Sequence, residues 1–350
     1  MTRIAPLGGQ AFALGLGSVS GLAASFTGLP LPWLLGAMIG TTVASVAGAP
    51  IRGPNKLRPL VVPVIGVMLG SGVTSDILQR MLEFWPAIVL LVPFLAVSAI
   101  ASYAIYRLLG RFDPVTAFFC AMPGGLNDMM ILGEEAGGNS RRIALAHATR
   151  ILVVITFVVL FYGLVLGVES DAGGGARIVP LSLLTPSDWI ILGACAVIGA
   201  PLAKWLGLPA PQILGPMILS GLTHGVGLVH VAPPTILVIL AQIVVGTVVG
   251  CRFLGATFRE VWREVLLGGG SSLAMIGVAI VFALGLSRMS GDPLELSFLA
   301  LSPGGLTEMS LLALAMGQDV IYVTTLHIIR ISIVIAMAAP VFRLIRRLSS

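Results

Sequence analysis

Apolar residues in this chain run on in long stretches without the polar alternation of a half-buried strand. The first six stretches lie at about 8–25, 30–48, 58–78, 83–108, 115–136 and 142–168, and a second six at about 188–206, 209–228, 234–253, 263–286, 295–318 and 320–345. Each has roughly the length that a helix needs to cross a hydrocarbon core of about 30 Å. Between the two sets lies a polar, glycine-bearing segment, VESDAGGGARIV. The pattern predicts an all-α polytopic membrane protein with a first membrane repeat over 1–168, a polar linker over 169–187 and a second repeat over 188–350.

Internal similarity at a fixed offset supports the two-repeat reading. GLPLPWLLGAMI from Gly28 matches GLPAPQILGPMI from Gly207 at an offset of 179, and GVMLG from Gly66 matches GTVVG from Gly246 at an offset of 180. PGGLNDM from Pro123 matches PGGLTEM from Pro303. At that same offset of 180, His147 meets His327 and Arg150 meets Arg330, and nine of the 28 positions from Pro123 to Arg150 are identical without a gap. Six crossings per repeat would make the halves parallel, whereas five with one re-entrant segment would make them inverted. With twelve crossings, the Lys and Arg other than the helix-embedded Arg150 and Arg330 divide 11 to 7 in favour of the side that holds the N-terminus, which points to a cytoplasmic N-terminus.

Composition narrows the class further. Of 350 residues 57% are apolar and only 10% charged, with a mean hydropathy of +1.04, against roughly 25% charged residues in soluble domains. The net charge of +5 gathers in short clusters at the ends of apolar runs, such as Arg52, Lys56 and Arg58, or Arg343, Arg346 and Arg347. These read as membrane-helix anchors rather than a nucleic-acid patch. Cys120, Cys195 and Cys251 are isolated in apolar sequence, without zinc or iron–sulfur spacing, so no metal site is expected. The first apolar stretch resembles a signal peptide on its own, but its place in the first repeat predicts a retained helix. Three GxxxG patterns, from Gly17, Gly66 and Gly246, predict close helix packing.

The chemistry concentrates around the two PGGL motifs. Pro123 has no backbone N–H and Gly124 and Gly125 tolerate unusual conformations, as do Pro303, Gly304 and Gly305, so each motif should unwind a helix locally. Unwound backbone at membrane depth persists only where it is buried in protein or lines a wet cavity. The alternative is a tight surface loop that needs no ligand. Asn127 with Asp128, and Thr307 with Glu308, follow the two breaks, and an intramembrane carboxylate is costly unless paired or hydrated. His147 and Arg150, like His327 and Arg330, are three residues apart and share a helix face. A membrane arginine needs an acidic partner or an anionic ligand. Each therefore either clamps helices by a bridge to Asp128 or Glu308, or exchanges that pairing for a bound carboxylate, proton or cation. Glu134 and Glu135 face Leu314 and Ala315 in the second repeat and read as a solvated rim, and His224 and His230 have no repeat partners.

With the paired GLPLP and GLPAP motifs and two PGGL(N/T)(D/E)M copies, the chain resembles the duplicated AbrB-type integral membrane proteins over essentially its whole length. These are distinct from the small soluble DNA-binding regulator of that name. The resemblance implies a role in regulating gene expression, and the family also carries the label ammonia monooxygenase. An oxygenase would need a cluster of His and carboxylate ligands, which four histidines, two of them related by the repeat, do not supply. The punctuated helix followed by a break also resembles, at the level of fold, cation/proton antiporters and bile-acid symporters.

The residues themselves favour a secondary transporter of a small organic anion or amine, not an enzyme, coupled to H+ or Na+ and without another cofactor. Its site would form where the two broken segments approach each other. There Asp128 and Glu308 would bind the coupling ion, Asn127 and Thr307 would supply neutral oxygens, Arg150 and Arg330 would balance charge or hold an anion, and His147 and His327 would tune the site or relay protons. The expected surroundings are the lipid bilayer, in a bacterium the inner membrane, with no nucleic-acid partner and with a homo-oligomer left open.

Overall fold

The computed structural model describes residues 6–72, 84–165, 179–208, 210–255 and 258–348. Among these are fourteen α-helices and no strand. They are α1 (Pro6–Ser25), α2 (Pro32–Val46), α3 (Arg58–Ser71), α4 (Trp85–Ala104), α5 (Pro114–Ala121), α6 (Leu126–Glu135), α7 (Ser140–Leu160), α8 (Pro186–Trp205), α9 (Pro211–Gly225), α10 (Thr235–Gly250), α11 (Phe258–Ser290), α12 (Leu294–Leu301), α13 (Leu306–Ala315) and α14 (Val320–Leu348). Six helical spans are long and apolar enough to cross a membrane: Trp85–Leu109, Ser140–Leu164, Pro186–Trp205, Thr235–Phe253, Trp262–Ser290 and Val320–Arg343. The protein is a multi-pass membrane protein. The expected linker at 169–187 lies outside the described residues up to 178, and beyond them holds one 3₁₀ turn, Leu181–Leu183.

Proline opens many of these helices. Pro32, Pro59, Pro86, Pro114, Pro186 and Pro211 occupy the first turns of α2, α3, α4, α5, α8 and α9, where the missing N–H costs nothing and φ is already helical. The GLPLP and GLPAP motifs do more than start a helix. Gly28 and Gly207 turn the chain at φ +70° and +69°, and Leu31 and Ala210, next to Pro32 and Pro211, are held left-handed at +52° and +45°. A side-chain-bearing residue in that region costs about 1–2 kcal/mol, so both starts carry local strain that surrounding packing must offset. Leu31 is buried, with 1% exposure.

The chain divides into two compact units. One gathers Met1–Met81, Thr156–Gly255 and Thr307–Ile321, the other Leu82–Ile155, Ala256–Leu306 and Tyr322–Ser350. In the first unit the glycines expected at helix contacts are at helix contacts. Gly66 and Gly70 of α3 face the backbone carbonyls of Ile213 and Met217 in α9, and Gly246 and Gly250 of α10 face those of Leu34 and Met38 in α2. The positions correspond at the same offset of 179 or 180, so α3 packs on α9 in the way α10 packs on α2. Gly199 of α8 and Gly215 of α9 approach each other with no room for a methyl group on either. Without a hydrophobic drive between helices in lipid, such backbone proximity and its dispersion contacts hold the bundle together.

The second unit is joined by larger and more polar contacts. Phe94 of α4 meets Phe282 of α11 edge-on at 5.7 Å, and the Ser102 and Ser271 hydroxyls of the same two helices bond at 2.6 Å. Arg263 of α11 donates to the carbonyl of Gly110 at 2.8 Å, and Arg142 at the start of α7 lies over the Phe112 ring and 3.7 Å from Glu264.

The glycine contacts predict unequal responses to one added methyl group. Gly246→Ala should destabilise by about 1–3 kcal/mol, because the intruding atom meets backbone that cannot yield. Gly193→Ala, where nothing lies within 4 Å, should cost nothing; thermal unfolding of the detergent-solubilised variants reads the difference.

Candidate functional site

The first PGG motif joins two short helices. Asp113 opens α5, accepting the N–H of Thr116 at 2.9 Å. Thr116 in turn accepts the N–H of Asn139 at 2.9 Å, and Asn139 caps the start of α7 through the N–H of Arg142 at 3.0 Å. This short relay fixes α5 against the beginning of α7. The chain then leaves α5 at Met122, extends through Pro123 and Gly124, and enters α6 after Gly125. The Gly125 carbonyl accepts the N–H of Met129 at 3.0 Å, but those of Met122 and Gly124 are satisfied by neither helix, and a bare carbonyl is costly in an apolar setting.

The face of α7 that carries His147 and Arg150 meets this need. Arg150 donates to the carbonyl of Met122 at 2.9 Å and to that of Gly124 at 2.8 Å, while the His147 ring donates through Nε2 to the carbonyl of Phe119 at 2.9 Å, in the last turn of α5. The three-residue spacing places both side chains along the end of one short helix. Gly124 itself is pressed against Val334 of α14, whose Cγ1 would lie 2.8 Å from an added Cβ.

At the second motif, Arg330 of α14 donates to the carbonyls of Ser302 and Gly304, both at 2.5 Å. These are the positions of the first break shifted by 180. Pro303 and Gly304 are buried, and Gly305 precedes α13. His327 departs from its counterpart, because its Nδ1 donates to Val323 on its own helix at 2.9 Å. The two arginines belong to one unit and their charges act on each other. They are 7% and 3% exposed, and the Nε–H of each has no partner. Among the described residues no carboxylate pairs with either, in contrast to the expected bridge to Asp128 or Glu308. The freed carbonyls took that place.

The carboxylates instead sit at the starts of the following helices. Asp128 lies in the first turn of α6, half-buried, with its Oδ2 folded over Gly125, where a Cβ would come within 2.5 Å of it. Glu308 lies in the first turn of α13, buried beside the buried Thr307, and feels the charge of Arg58 in α3. Both positions are at helix N-termini, where partial positive charge favours an anion. Thr307 and Glu308 fall in the first unit, and the other site residues in the second. The side chain of Asn127 lies outside the described residues. No three His, Cys, Asp or Glu side chains among the described residues are grouped so as to hold a metal ion.

The sequence profile of the family described as "Transition state regulatory protein AbrB" matches residues 33–346. The chain belongs to the AbrB family. It is similar to "Uncharacterized protein YhjN" of Bacillus subtilis (strain 168), with 26% identity over 96% of this chain and 92% of that protein. It is also similar to "Putative regulator AbrB" of Escherichia coli (strain K12), with 24% identity over 91% of this chain and 90% of that one. The family match takes in both PGG motifs and both His/Arg pairs.

One buried polar residue is not singled out by the repeat. Gln242, in the middle of α10, is 1% exposed, and neither amide atom has a partner. Its signal in the sequence is that it is the one amide in TILVILAQIVVGTVVG, but it lacks a counterpart in the first half and so does not stand out beside the paired residues.

Removing a guanidinium should expose the cost of bare carbonyls. Arg150→Gln and Arg330→Gln should each lower stability by at least about 1–3 kcal/mol, the cost of leaving a buried acceptor unpaired; a melting temperature within error of the wild type for both would remove the capping role. A second prediction concerns pH. Partial burial pushes the Asp113 carboxyl up, but hydrogen bonds from Thr116 and from the backbone outweigh it and hold the group below its ordinary value. Asp113 thus stabilises the fold above pH of about 3.9 and loses that contribution as the pH falls through its depressed pKa. Asp113→Ala should cost about 1 kcal/mol at neutral pH, and its melting temperature should converge on that of the wild type in acid.

Proposed function

We propose that this protein is a secondary transporter that moves small organic anions, coupled to H+ or Na+, in the cytoplasmic membrane of a bacterium. The observation that carries this reading is the pair of buried guanidinium groups, one at each PGG segment, with a free Nε–H on each and no carboxylate beside them among the described residues. Each sits at the C-terminal end of a short helix, whose dipole supplies about half a negative charge. Roughly half of each positive charge is then left unbalanced. A buried uncompensated charge is expensive, and an anionic substrate would relieve it, whereas an amine would add to it. An anion is thereby favoured over an amine, the two substrate classes left open by the sequence.

In this reading each PGG segment is a break in a membrane helix, and the two halves of the chain are duplicated units that contribute one break each. Asp128, in the first turn of the helix that follows the first break, takes up the coupling cation, and Glu308 holds the corresponding position after the second. Arg150 and Arg330 hold the backbone of the breaks and present Nε–H to the substrate. His147, with Nδ1 unpartnered beside a capped carbonyl, relays a proton. Both relatives are bacterial, which supports the membrane assigned. The family description favours a second reading, a membrane-bound regulator of gene expression, in which the same residues serve folding alone.

Reconstitution into liposomes separates the two. With an imposed pH or sodium gradient, wild-type protein should accumulate one or more members of a panel of small organic acids, and Asp128→Asn should reduce gradient-driven uptake by at least about tenfold, a difference of about 1.4 kcal/mol. Uptake of amines but not acids would refute the anionic substrate. No gradient-driven flux of any panel member, with correctly folded protein, would set transport aside in favour of the regulatory reading.

A further inference from the structure

The first unit carries a basic pocket that is independent of the breaks. Arg52, Gly53, Asn55 and Lys56 from the α2–α3 connection, Gln10 from α1, and Val248, Cys251, Arg252 and Leu254 from the end of α10 surround a cavity of about 460 Å³. Its volume falls within the range of small-molecule sites. Arg52 and Lys56 read in the sequence as membrane anchors, and anchoring side chains need only fan out into solvent. Here they converge with Arg252, which belongs to the other half of the chain, on a common concavity.

The walls are built rather than incidental. The N–H of Arg52 bonds to the carbonyl of Gly9 at 3.0 Å, tying the connection to α1. The Ser45 hydroxyl donates to the carbonyl of Gly250 at 3.0 Å, tying the end of α2 to the end of α10. Beneath the cations Ala13, Ile51 and Cys251 pack as a small apolar cluster with Leu254 against it. Gly53 is confined by Cys251, whose Cβ would lie 3.2 Å from an added methyl.

Charge in the pocket is of one sign. Among the described residues three cations line it and no carboxylate does. The Arg52, Lys56 and Arg252 side chains have no hydrogen-bond or ion-pair partner among the described residues. Arg252 is half-buried and feels the like charge of Arg58. Glu308 interacts with Arg58, which is not among the lining residues. A partly buried guanidinium presents a planar fork of donors suited to a phosphate, a lysine adds a point charge, and Asn55 and Gln10 offer neutral hydrogen bonds. The pocket lies at the end of the Thr235–Phe253 span, where a membrane span meets its polar boundary.

We infer that this pocket binds a phosphate group, carried either by an anionic phospholipid headgroup or by a soluble phosphorylated compound. The apolar floor under a cationic rim suits both. Binding is tested on the purified full chain in neutral detergent, by thermal unfolding with three added probes: short-chain phosphatidylglycerol, short-chain phosphatidylcholine and inorganic phosphate. Wild type is compared with Arg252→Gln, with Lys56→Gln, and with Lys204→Gln, an exposed basic residue outside the pocket.

Phosphatidylglycerol or phosphate should raise the wild-type melting temperature, and Arg252→Gln and Lys56→Gln should each require at least about tenfold more of the same probe for an equal rise. Lys204→Gln should respond as the wild type does. Protection by phosphatidylglycerol alone assigns the phosphate to a lipid, whereas protection by inorganic phosphate assigns it to a soluble ligand. Equal protection by phosphatidylcholine, an unchanged response in both pocket variants, an equal loss in Lys204→Gln, or no protection by any probe overturns the site. Should Arg252→Gln fail to fold, the exposed Lys56→Gln decides the question. The outcome is separate from that of the transport assay, since no flux is measured.

Discussion

Backbone carbonyls cannot be left bare in an apolar interior, and that constraint governs the parts of this protein that carry its chemistry. Two short helices end at a proline followed by two glycines, and at each end two carbonyls are turned out of any helical ladder. One arginine serves each pair. A guanidinium suits the task because its planar fork reaches two acceptors at once and its charge is not readily lost. Lysine would present a compact point charge without that fixed fork, and a neutral amide could not complement the negative end of a helix dipole. The sequence device that opens the helix and the one that repairs it are therefore inseparable, although a whole intervening helix stands between them in the chain.

The repair leaves a remainder of charge, and it leads from structure to function. Capping consumes the terminal nitrogens but not Nε, and helix ends balance only part of a full positive charge. The carboxylates that might have neutralised the arginines stand instead at the N-terminal ends of the next helices, where helix dipoles favour them. At the first break, positive and negative groups are thus held apart by the same short segment. In the transport reading proposed above, this separation leaves the arginines for an anion and Asp128 for a cation.

The two units pack in different ways. In the first unit, helices meet through glycine and carbonyl contacts that leave no space for a side chain. In the second, aromatic edges, paired serines and an Arg142–Glu264 contact join the helices. The strained left-handed residues Leu31 and Ala210 belong to the tightly packed unit, where close backbone contacts can hold them.

A good deal of this is legible in the sequence. The membrane class follows from hydropathy, the places where helices stop follow from Pro and Gly, and the His/Arg pairs stand out because polar residues are rare in such surroundings. The GxxxG glycines are legible for a similar reason, since small residues at that spacing have few uses other than close approach. Asp128 and Glu308 stand out as carboxylates in apolar context, but their separation from the arginines cannot be read from spacing alone. His327 shows a limit of the internal sequence match: it aligns with His147 and yet bonds within its own helix. The sequence by itself determined which segments are helical, where they are interrupted and which polar side chains lie beside the interruptions, because those properties are local. Only the tertiary structure decided which partners those side chains take. It placed Arg150 and Arg330 on carbonyls rather than carboxylates, α3 on α9 and α10 on α2, and Arg252 beside Arg52 and Lys56. The physical reason is that a helix apolar on most of its faces has no polar side to declare its orientation. Its neighbours are chosen by fit of shape and by hydrogen bonds across long stretches of chain, and the sequence of one segment does not contain them.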